Sequence, residues 1–397
     1  MSGSGTSDLK KRLHGVVDER TEQLLGVSHD IWANPELCFE EHHAHDVLVE
    51  VLDGAGLAVE AHAFGLDTAF VATAGTDGPT VGVICEYDAL PGLGHACGHN
   101  IIAASGLGAG LAAATVADEL GCTVKVFGTP AEEGGGGKVF MVERGAFEGV
   151  DAALMVHPSG RDLTTMSTLA IDQLRATYTG AEAHAAAAPH VGRNALDAAV
   201  LGYMGVAALR QHMTDSERVH GVITHGGEKP NIVPARAETE WYVRSPTLGG
   251  LDELCARVQA ALRSGATATG CTCSIEAQGR RYADMIDNRA LLAAFVSNAR
   301  QLGREMKEPT ARTRVQGSTD MGDVSYAVPS IHPMIAAAPH DVSIHTERFA
   351  GYAASPSGDA AVIDGAKILA STLVDVWLDD ALRSDAADEF DAASDSA

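Results

Sequence analysis

The sequence predicts an α/β fold, in which a mainly parallel-sheet α/β/α domain carries an inserted ferredoxin-like α+β domain. Strand-like runs alternate with helical segments between residues 68 and 158, a pattern typical of βαβ units and a parallel sheet. Residues 172–282 follow the order β-α-β-β-α-β, which is complete as a ferredoxin-like unit. The predicted domains are 1–171 with 283–378, the insertion 172–282, and an acidic, disordered tail over 379–397.

The first domain begins with two helices. Apolar residues lie on one side of 8–33, and Pro35 ends that helix before a second one over about 41–54. The strands TAFVATAG and TVGVICEY come next, then a loop and an alanine- and glycine-rich helix after Asn100. The strands TVKVFGTP and AALMVHP complete this part. The helices NRALLAAFVSNARQLG and AAVIDGAKILASTLVDVWL follow the insertion.

The inserted domain alternates in the same way. Its predicted elements are the strand RATYTGAEAHA, the helix NALDAAVLGYMGVAALRQHM, the strands HGVITHGG and AETEWYVRSP, the helix LDELCARVQAALRSGA and the strand CTCSIEAQGR. The first of these helices is apolar on more than one side, and the sheet has an uncovered edge. Both features favour a protein partner for this domain.

Composition excludes several classes of partner. The chain has 28 basic and 53 acidic residues and a net charge of −25, which argues against binding to nucleic acid or an anionic membrane. No apolar run approaches the roughly 18 residues that span a bilayer. The basic pair near the N-terminus has no hydrophobic signal core behind it, and the seven cysteines lack a disulfide framework. We therefore expect a cytoplasmic protein with free thiols.

The most informative segment is ICEYDALPGLGHACGHN, residues 84–100. It places Cys97 and His99 on a loop at the carboxyl end of a predicted strand, where open α/β sheets keep their chemistry. A thiolate and an imidazole suit zinc and also accept manganese, nickel or cobalt. The alternative is structural: Cys97 would be a small buried hydrophobic residue, and His99 would cap the helix that follows.

Further residues are candidates for the same site. Glu132 and Glu133 follow a strand and precede four glycines, and neighbouring extended residues point to opposite sides, so one carboxylate can bind metal while the other acts as base. His157 ends an apolar strand, and His345 lies in SIHT. The alternatives are a solvated acidic turn for the two glutamates and structural roles for the two histidines. Asp88 can orient a ligand histidine, or it can cap a turn.

These motifs, taken in order, resemble one family. YDALPGLGHACGHN, GTPAEEGGGG, MVHP, AEAHAAAAPHVGRNALDA, KPNIVPARAE, GSTDMGDVSY and SIHTERF are similar to motifs of the dinuclear-metal aminoacylase and carboxypeptidase family, specifically its amidohydrolase branch. The resemblance covers about residues 8–378. It is strongest to the group formed by β-alanyl-lysine-type dipeptidases and the B-type subunit of aminobenzoyl-glutamate hydrolase.

The resemblance implies a role for each candidate. Cys97 would bridge two divalent metal ions, zinc or manganese, with nickel or cobalt also suitable. The other ligands would be His99 and His157 at one ion, and Glu133 and His345 at the other. Glu132 would be the general base for a metal-activated water, supported by Asp88. Asn100 is a departure, because many relatives have Asp there; this puts only the finer arrangement around the ligands in question.

The resemblance also assigns roles to the insertion. His184 would reach the active site of the other subunit of a homodimer and stabilise the tetrahedral oxyanion. Asn231 and Arg244 would contact the substrate or support its carboxylate. The inserted domain would thus be a lid and a dimerisation domain.

The implied function is hydrolysis of the amide bond of a dipeptide or an N-acyl amino acid. The alternative within the enzyme class is aminobenzoyl-glutamate-type or N-acyl-amino-acid hydrolysis. Two other classes stay open: a non-catalytic metal-binding scaffold and a cysteine hydrolase that uses Cys97 as nucleophile. The sequence does not distinguish the substrate or the physiological metal.

Overall fold

Helices and strands alternate along the chain in a computed structural model that describes residues 3–311, 313 and 316–394. The described residues up to Ser167 and from Met285 onward form one compact unit, and Thr168–Asp284 forms a second. The elements up to the second unit are α1 (Gly3–Glu19), α2 (Thr21–Ala33), α3 (His42–Gly54), β1 (Ala58–Ala61), β2 (Phe70–Ala74), β3 (Thr80–Glu86), α4 (His99–Ala114), α5 (Ala117–Leu120), β4 (Thr123–Thr129), α6 (Gly137–Glu143), β5 (Ala152–Leu154), β6 (His157–Ser159) and β7 (Ser167–Thr168).

The second unit and the return of the chain complete the list of elements. The second unit contains β8 (Ala170–Thr179), α7 (Ala195–Leu209), β9 (Arg218–His225), β10 (Arg236–Ser245), α8 (Leu248–Thr269) and β11 (Thr272–Ala277). The chain then forms α9 (Arg289–Gln301), β12 (Gln316–Gly317), α10 (Met321–Ser325), β13 (Ser330–Ile331), β14 (Met334–Ala336), α11 (Glu347–Ala353), α12 (Pro356–Leu378) and α13 (Asp380–Ser394). Short 3-10 helices occupy Ala63–Gly65, Pro189–Val191 and Arg210–His212.

The described part of the first unit contains a six-stranded sheet in the order β1-β2-β4-β3-β5-β13. The four strands β4, β3, β5 and β13 run parallel, and β2 and β1 continue the sheet in antiparallel pairing. Glu86 at the end of β3 lies opposite Thr129 at the end of β4, so the loops that leave these strands start side by side. The predicted α/β class with a mostly parallel sheet is confirmed.

Small residues let α4 lie close to the sheet. The helix is buried from His99 to Ala113 and packs against β3 and α12. A Cβ added at Gly106 would lie 2.6 Å from the carbonyl oxygen of Ile84, closer than such atoms approach. Glycine at this position therefore allows the close helix–strand contact that places His99 beside the carboxyl end of β3.

One predicted strand is divided in the structure. The run AALMVHP forms β5 at Ala152–Leu154 and ends in β6, which begins at His157. β6 pairs in parallel with β14 in a separate two-stranded sheet, where His157 lies opposite Met334. His157 is therefore the first residue of a strand and not the last.

The second unit has the predicted β-α-β-β-α-β order. Its sheet runs β11-β8-β10-β9, and all the pairs are antiparallel. Trp241 and Val243 of β10 are fully buried in a core shared with α7 and α8. β9 lies at an edge of the sheet and exposes Val222 and Ile223. The predicted ferredoxin-like insertion is confirmed as a fold.

The acidic tail corrects the sequence prediction of disorder over 379–397. Residues Asp380–Ser394 form α13, and the last three residues lie outside the described part of the chain. Ala386 is buried, and its carbonyl oxygen accepts a hydrogen bond from the Asn288 side chain at 2.8 Å. Glu389 accepts the Arg289 backbone N–H at 2.9 Å, next to the start of α9, where negative charge is favoured. Composition suggested a solvated segment, but these long-range contacts order it.

No helix within the described residues is both long enough and apolar enough to cross a membrane.

Candidate metal centre

The loop between β3 and α4 places a thiol and an imidazole side by side. Gly98, between Cys97 and His99, has a φ of 83° and precedes the first residue of α4. A Cβ at Gly98 would lie 2.7 Å from Cγ of Pro158, so both the backbone conformation and the available space require glycine. Cys97 and His99 are both buried.

Ligand-type side chains converge around this loop. Within the described residues, three groups have all their donor atoms within 4.8 Å of one another. These groups are Cys97 with His99 and His157, Cys97 with Glu133 and His345, and His99 with Glu132 and Glu133. The Cys97 sulfur lies 3.4 Å from Nε2 of His157, and Nε2 of His345 lies 3.6 Å from Oε1 of Glu133. Cys97 is thus common to two groups, the arrangement that a bridging ligand requires.

Asp88 fixes the orientation of His99. Nδ1 of His99 donates to Oδ1 of Asp88 at 2.9 Å, which leaves Nε2 facing the other donors. Nε2 of His99 and Oε1 of Glu133 are buried and have no hydrogen-bond partner among the described residues. Two buried electron-pair donors without partners, one of them oriented by a carboxylate, fit a bound cation.

Charge around Asp88 and His99 is mutually stabilising. Burial by itself would raise the pKa of Asp88, but the charge and hydrogen bond of His99 outweigh it and lower the pKa to about 2. Burial would likewise lower the pKa of His99, but the negative charges of Cys97 and Asp88 raise it well above its usual range. Asp88 therefore stays ionised and continues to orient His99 at any pH near neutrality.

The acidic groups retain protons in the absence of metal. Burial and the carboxylates of Glu133 and Glu86 raise the pKa of Glu132 well above its usual range. Burial and the charge of Glu133 also raise the pKa of the Cys97 thiol. A buried thiol with a raised pKa is a poor nucleophile, which counts against the cysteine-hydrolase alternative. Metal binding at such a site must release protons.

The turn that carries Glu132 and Glu133 is held by hydrogen bonds to side chains from other parts of the first unit. Ala131 has a φ of 60°, a conformation that non-glycine residues rarely adopt, and its N–H donates to Oε1 of Glu41 at 2.8 Å. The Glu133 N–H donates to Oδ2 of Asp88 at 2.9 Å. These bonds direct the two consecutive carboxylates towards the same cluster, so the turn is not the solvated acidic turn of the alternative interpretation.

The two remaining histidines of the cluster lie in the first unit. In the sequence, His157 precedes the second unit and His345 follows it. Nδ1 of His157 donates to the Pro158 carbonyl at 2.8 Å, which leaves Nε2 directed at Cys97. His345 has a φ of 61°, and its N–H donates to the Ala96 carbonyl at 2.8 Å. The side chain of His345 is half exposed, so this edge of the cluster is open to solvent.

The remaining candidates belong to the second unit. His184 is exposed, and its Nδ1 accepts hydrogen bonds from the N–H groups of Ala186 and Ala187 at 3.2 and 3.1 Å. With Nδ1 as acceptor, the ring carries its proton on Nε2. The Ala185 N–H donates to the Asn231 carbonyl at 3.0 Å, so His184 and Asn231 lie on adjoining segments. Arg244 lies in β10, where burial lowers its pKa.

Sequence reasoning missed a charged cluster beside the candidate ligands. Nζ of Lys138 lies 2.6 Å from Glu86 and 2.8 Å from Asp320, and all three side chains are fully buried. The available signal was weak: a charged residue at the end of the apolar run VGVICE and a lysine directly after four glycines. Neither motif reveals that residues 138 and 320 meet.

Comparison with known proteins identifies the family. Residues 42–375 match peptidase family M20/M25/M40. The chain belongs to this family. The Xaa-Arg dipeptidase of Mus musculus is 41% identical over 96% of this chain and 92% of the mouse protein. The B-type subunit of the p-aminobenzoyl-glutamate hydrolase of Escherichia coli K12 is 28% identical over 98% of this chain and 96% of its own length.

A solved structure agrees with the fold. The dinuclear metal-binding M20 peptidase of Bacillus subtilis superposes with a TM-score of 0.71 at 18% identity, over 90% of this chain and 99% of that one. As a member of the M20 family, the chain is a metal-dependent hydrolase of amide bonds. The predicted family and enzyme class are confirmed, and the alternative of a non-catalytic scaffold is set aside.

Asn100, where the sequence resemblance led us to expect Asp, makes two side-chain hydrogen bonds in this chain. Its Nδ2 donates to the Ser28 hydroxyl at 2.9 Å and to the Ala353 carbonyl at 3.0 Å. An ionised aspartate has no proton to give to a carbonyl oxygen. The amide is therefore the side chain that suits these two partners, and it joins the start of α4 to α2 and the end of α11.

Proposed function

We propose that this protein is a dipeptidase with two divalent cations, zinc or manganese, that acts on dipeptides with a basic C-terminal residue. The observation that carries the proposal is the pair of ligand groups that share Cys97, with Glu132 beside them. The preference for a basic residue is supported by the Xaa-Arg dipeptidase, whose similarity extends over nearly the whole length of both chains. Nickel and cobalt also suit the same donors.

The proposed ligands divide between two positions. Cys97 would bridge, with His99 and His157 at one cation and Glu133 and His345 at the other. Mixed sulfur, nitrogen and oxygen donors are the set that zinc accepts, and the carboxylate also suits manganese. Cations bound there would supply Lewis acidity, which favours ionisation of water and polarises an amide carbonyl.

Glu132 is the proposed general base and acid. Burial and the neighbouring carboxylates raise its pKa, the direction that suits a group that must carry a proton during the reaction. Its carboxylate takes a proton from water as the water oxygen bonds to the amide carbon. It then gives the proton to the nitrogen as the carbon–nitrogen bond breaks. The clamped turn at Ala131 keeps Glu132 beside His99 throughout, with the Glu132 oxygen 3.9 Å from Nε2.

The second unit is proposed to bind and close on the substrate as a lid over about residues 172–282. His184, with its proton on Nε2, is suited to donate to the oxyanion, and Asn231 and Arg244 are suited to hold the substrate carboxylate. We also propose a homodimer formed through this unit. Support comes from exposed apolar side chains on α7 and on the edge strand β9, namely Val200, Leu201, Met204, Val222 and Ile223.

A cytoplasmic location completes the proposal. All seven cysteines of the chain are free thiols, as expected in a reducing compartment.

Substrate screening tests the proposal. Metal-free protein, reloaded with Mn²⁺ or Zn²⁺, is assayed with β-alanyl-lysine, β-alanyl-arginine and the matched neutral dipeptide β-alanyl-norleucine. We expect hydrolysis that depends on metal, with kcat/KM at least about tenfold higher for the basic dipeptides, because one buried charge contact is worth about that much. Equal rates for lysine and norleucine would remove the basic preference. No hydrolysis of any dipeptide would remove the dipeptidase assignment.

A second candidate is hydrolysis of aminobenzoyl-glutamate, which the match to the E. coli hydrolase favours. Its product glutamate carries a negative side chain, opposite in charge to lysine or arginine. Including p-aminobenzoyl-glutamate and N-acetyl amino acids in the same screen separates the candidates. A kcat/KM that is highest for p-aminobenzoyl-glutamate would replace the first proposal with this one.

A further inference from the structure

A buried lysine lies directly behind the metal ligands. Nζ of Lys138 lies between Oε1 of Glu86 at 2.6 Å and Oδ1 of Asp320 at 2.8 Å, and all three side chains have no exposed area. The backbone N–H of Lys138 donates to the other oxygen of Asp320 at 2.9 Å. The ammonium is thus shared by two carboxylates, and the cluster keeps one excess negative charge.

Stability alone is a weak reason for such a cluster. The free energy lost when three charged groups are desolvated is about as large as the free energy gained from their attraction. Proteins with apolar residues of similar volume at such positions are often equally stable. An excess negative charge in the interior makes the balance less favourable still. Another role for the cluster is indicated by the surroundings of Oε2 of Glu86, the oxygen that Lys138 does not bind.

That oxygen faces the metal centre. Oε2 of Glu86 lies 3.5 Å from Nε2 of His99, the ring nitrogen that Asp88 leaves free for a cation. Glu132 and Glu133 each place an oxygen 3.9 Å from the same nitrogen. Glu86 is therefore the carboxylate nearest to this nitrogen among these three, although it belongs to none of the three ligand groups.

The positions of Glu86 and Lys138 in the chain also connect the cluster to the metal centre. Glu86 is the last residue of β3, and Lys138 is the second residue of α6, just after the turn that carries Glu132 and Glu133. The Lys138–Glu86 ion pair thus links the start of α6, next to the turn that carries Glu132, to the end of β3. Asp320, just before α10, holds Lys138 from the other side.

We propose that Lys138 and Glu86 are positioning residues of the metal centre: the ammonium binds one oxygen of Glu86 so that the other oxygen stays beside His99 without becoming a ligand. Glu86 then supplies a fixed negative charge that strengthens cation binding through His99. Lys138 keeps Glu86 from moving onto the cation or crowding Glu132. This inference rests on the proposed function, since it assumes that His99 binds metal.

Two matched variants test the proposal. Glu86→Gln and Asp320→Asn each remove one buried negative charge and each leave Lys138 one carboxylate partner, so they differ in whether the lost charge faces His99. Metal-free protein is titrated with MnCl2 and ZnCl2 by calorimetry. We expect Glu86→Gln to raise the metal Kd about 10- to 100-fold, the usual effect of groups that support ligands. Asp320→Asn should raise it less than about threefold, because its charge lies behind Lys138.

Further readouts exclude a merely structural effect. Thermal unfolding in chelator should show similar losses for the two variants, while the Co²⁺ absorption spectrum should change only in Glu86→Gln. Lys138→Met should bring a new oxygen ligand to Co²⁺ and lower kcat more than it changes KM. Equal Kd values for Glu86→Gln and Asp320→Asn, or an unchanged Lys138→Met spectrum, would overturn the proposal.

A second variant at the same position is used if Glu86→Gln does not fold. Glu86→Asp then replaces it, because this variant keeps the charge but withdraws it by one methylene. The Kd should again rise, and an unchanged Kd would contradict the proposal. If the unaltered protein binds no metal and hydrolyses no amide, the proposed function fails first. If it does both but the variants match it, only the positioning role fails.

Discussion

Two histidines, His99 in the first unit and His184 in the second, show how differently the two parts of this protein prepare their chemistry. His99 is fully buried, and its Nδ1 donates to an ionised carboxylate. His184 is exposed, and its Nδ1 accepts two backbone N–H groups. Nε2 of His99 is therefore left for a cation that would displace its proton, whereas Nε2 of His184 has a proton available for an oxygen.

The contrast extends to the surroundings of each residue. Around His99, burial and neighbouring charges raise the pKa values of Cys97 and Glu132, so these groups hold protons that a bound cation would displace. Around His184, the chain offers a backbone turn and an adjoining segment that carries Asn231. This difference is what the proposed function requires, in which the first unit holds metal and the second contacts the substrate.

The largest expected effect is the loss of turnover when the proposed general base, Glu132, is replaced. Glu132→Gln should retain metal but lose turnover by about 10²–10⁴-fold or more, because an amide of similar shape cannot accept the proton. The measurement is kcat together with elemental analysis of the same sample. Glu133→Gln is the control, and it should lose metal as well as activity. A metal-replete Glu132→Gln enzyme with near-normal turnover would contradict the assignment.

The next effect concerns the bridge. Cys97→Ala should lose most of about two equivalents of metal per chain, since two ligand groups share this sulfur. Cys85→Ala is a matched control, because Cys85 is equally buried at the end of β3 but belongs to no ligand group within the described residues. Elemental analysis should show normal metal in Cys85→Ala. Equal metal content in both variants would exclude the bridging role.

A mixing experiment tests whether His184 of the second unit acts in the site of the other subunit. Inactive Glu132→Gln chains are combined with inactive His184→Ala chains under conditions in which subunits exchange. If His184 serves the centre of the other subunit, each mixed dimer holds one complete site, and equal mixing should restore about a quarter of normal activity. Demonstrated exchange without any return of activity would show that His184 does not act across a dimer.

A smaller effect probes the packing behind His99. Asn100→Asp should lower the free energy of unfolding by about 1–3 kcal/mol, because a buried carboxylate would face the Ala353 carbonyl without a proton to donate. Ser28→Ala removes only one partner of the amide and should cost about 0.5–1.5 kcal/mol. Denaturant unfolding of both variants in chelator measures the difference. An equal cost for both would mean that Ala353 is not the deciding partner.

The smallest effect is a change in pH dependence. Burial, with the charge of Asp88, raises the pKa of Glu41 from 4.5 to about 7. A raised pKa means that the protonated form is favoured on folding, so the stability from Glu41 is present below about pH 4.5 and lost as the pH rises through about 7. Glu41→Gln, which is neutral throughout, should flatten the curve of Tm against pH in this window. An unchanged slope between about pH 5 and 7 would show that Glu41 does not titrate there.

Local chemistry made much of the first region predictable. Cys97, His99, Glu132 and Glu133 stand in short motifs with glycine or strand ends beside them, and these motifs indicate the backbone conformation and make the four residues candidates for the site. The order of strands and helices likewise indicated a parallel sheet and the inserted unit. Short-range signals of this kind survive in a single sequence because their physical causes lie within a few residues.

Long-range contacts could not be predicted in the same way. Lys138 meets Asp320 across 182 positions, and no local pattern indicates that their charges are buried together. The acidic tail was expected to be disordered from its composition, but Asn288 and Arg289, about 100 positions earlier, bind its backbone and side chains. In both cases the free energy comes from partners that only the folded chain brings together.

The most direct test of a shared thiolate is anomalous diffraction from crystals of the metal-loaded protein, measured at the absorption edge of zinc or manganese. We expect two peaks per chain at the cluster, both within bonding distance of the Cys97 sulfur, with His99 and His157 at one and Glu133 and His345 at the other. One peak, or two peaks that do not share Cys97, would contradict the claim that this sulfur joins two metal sites.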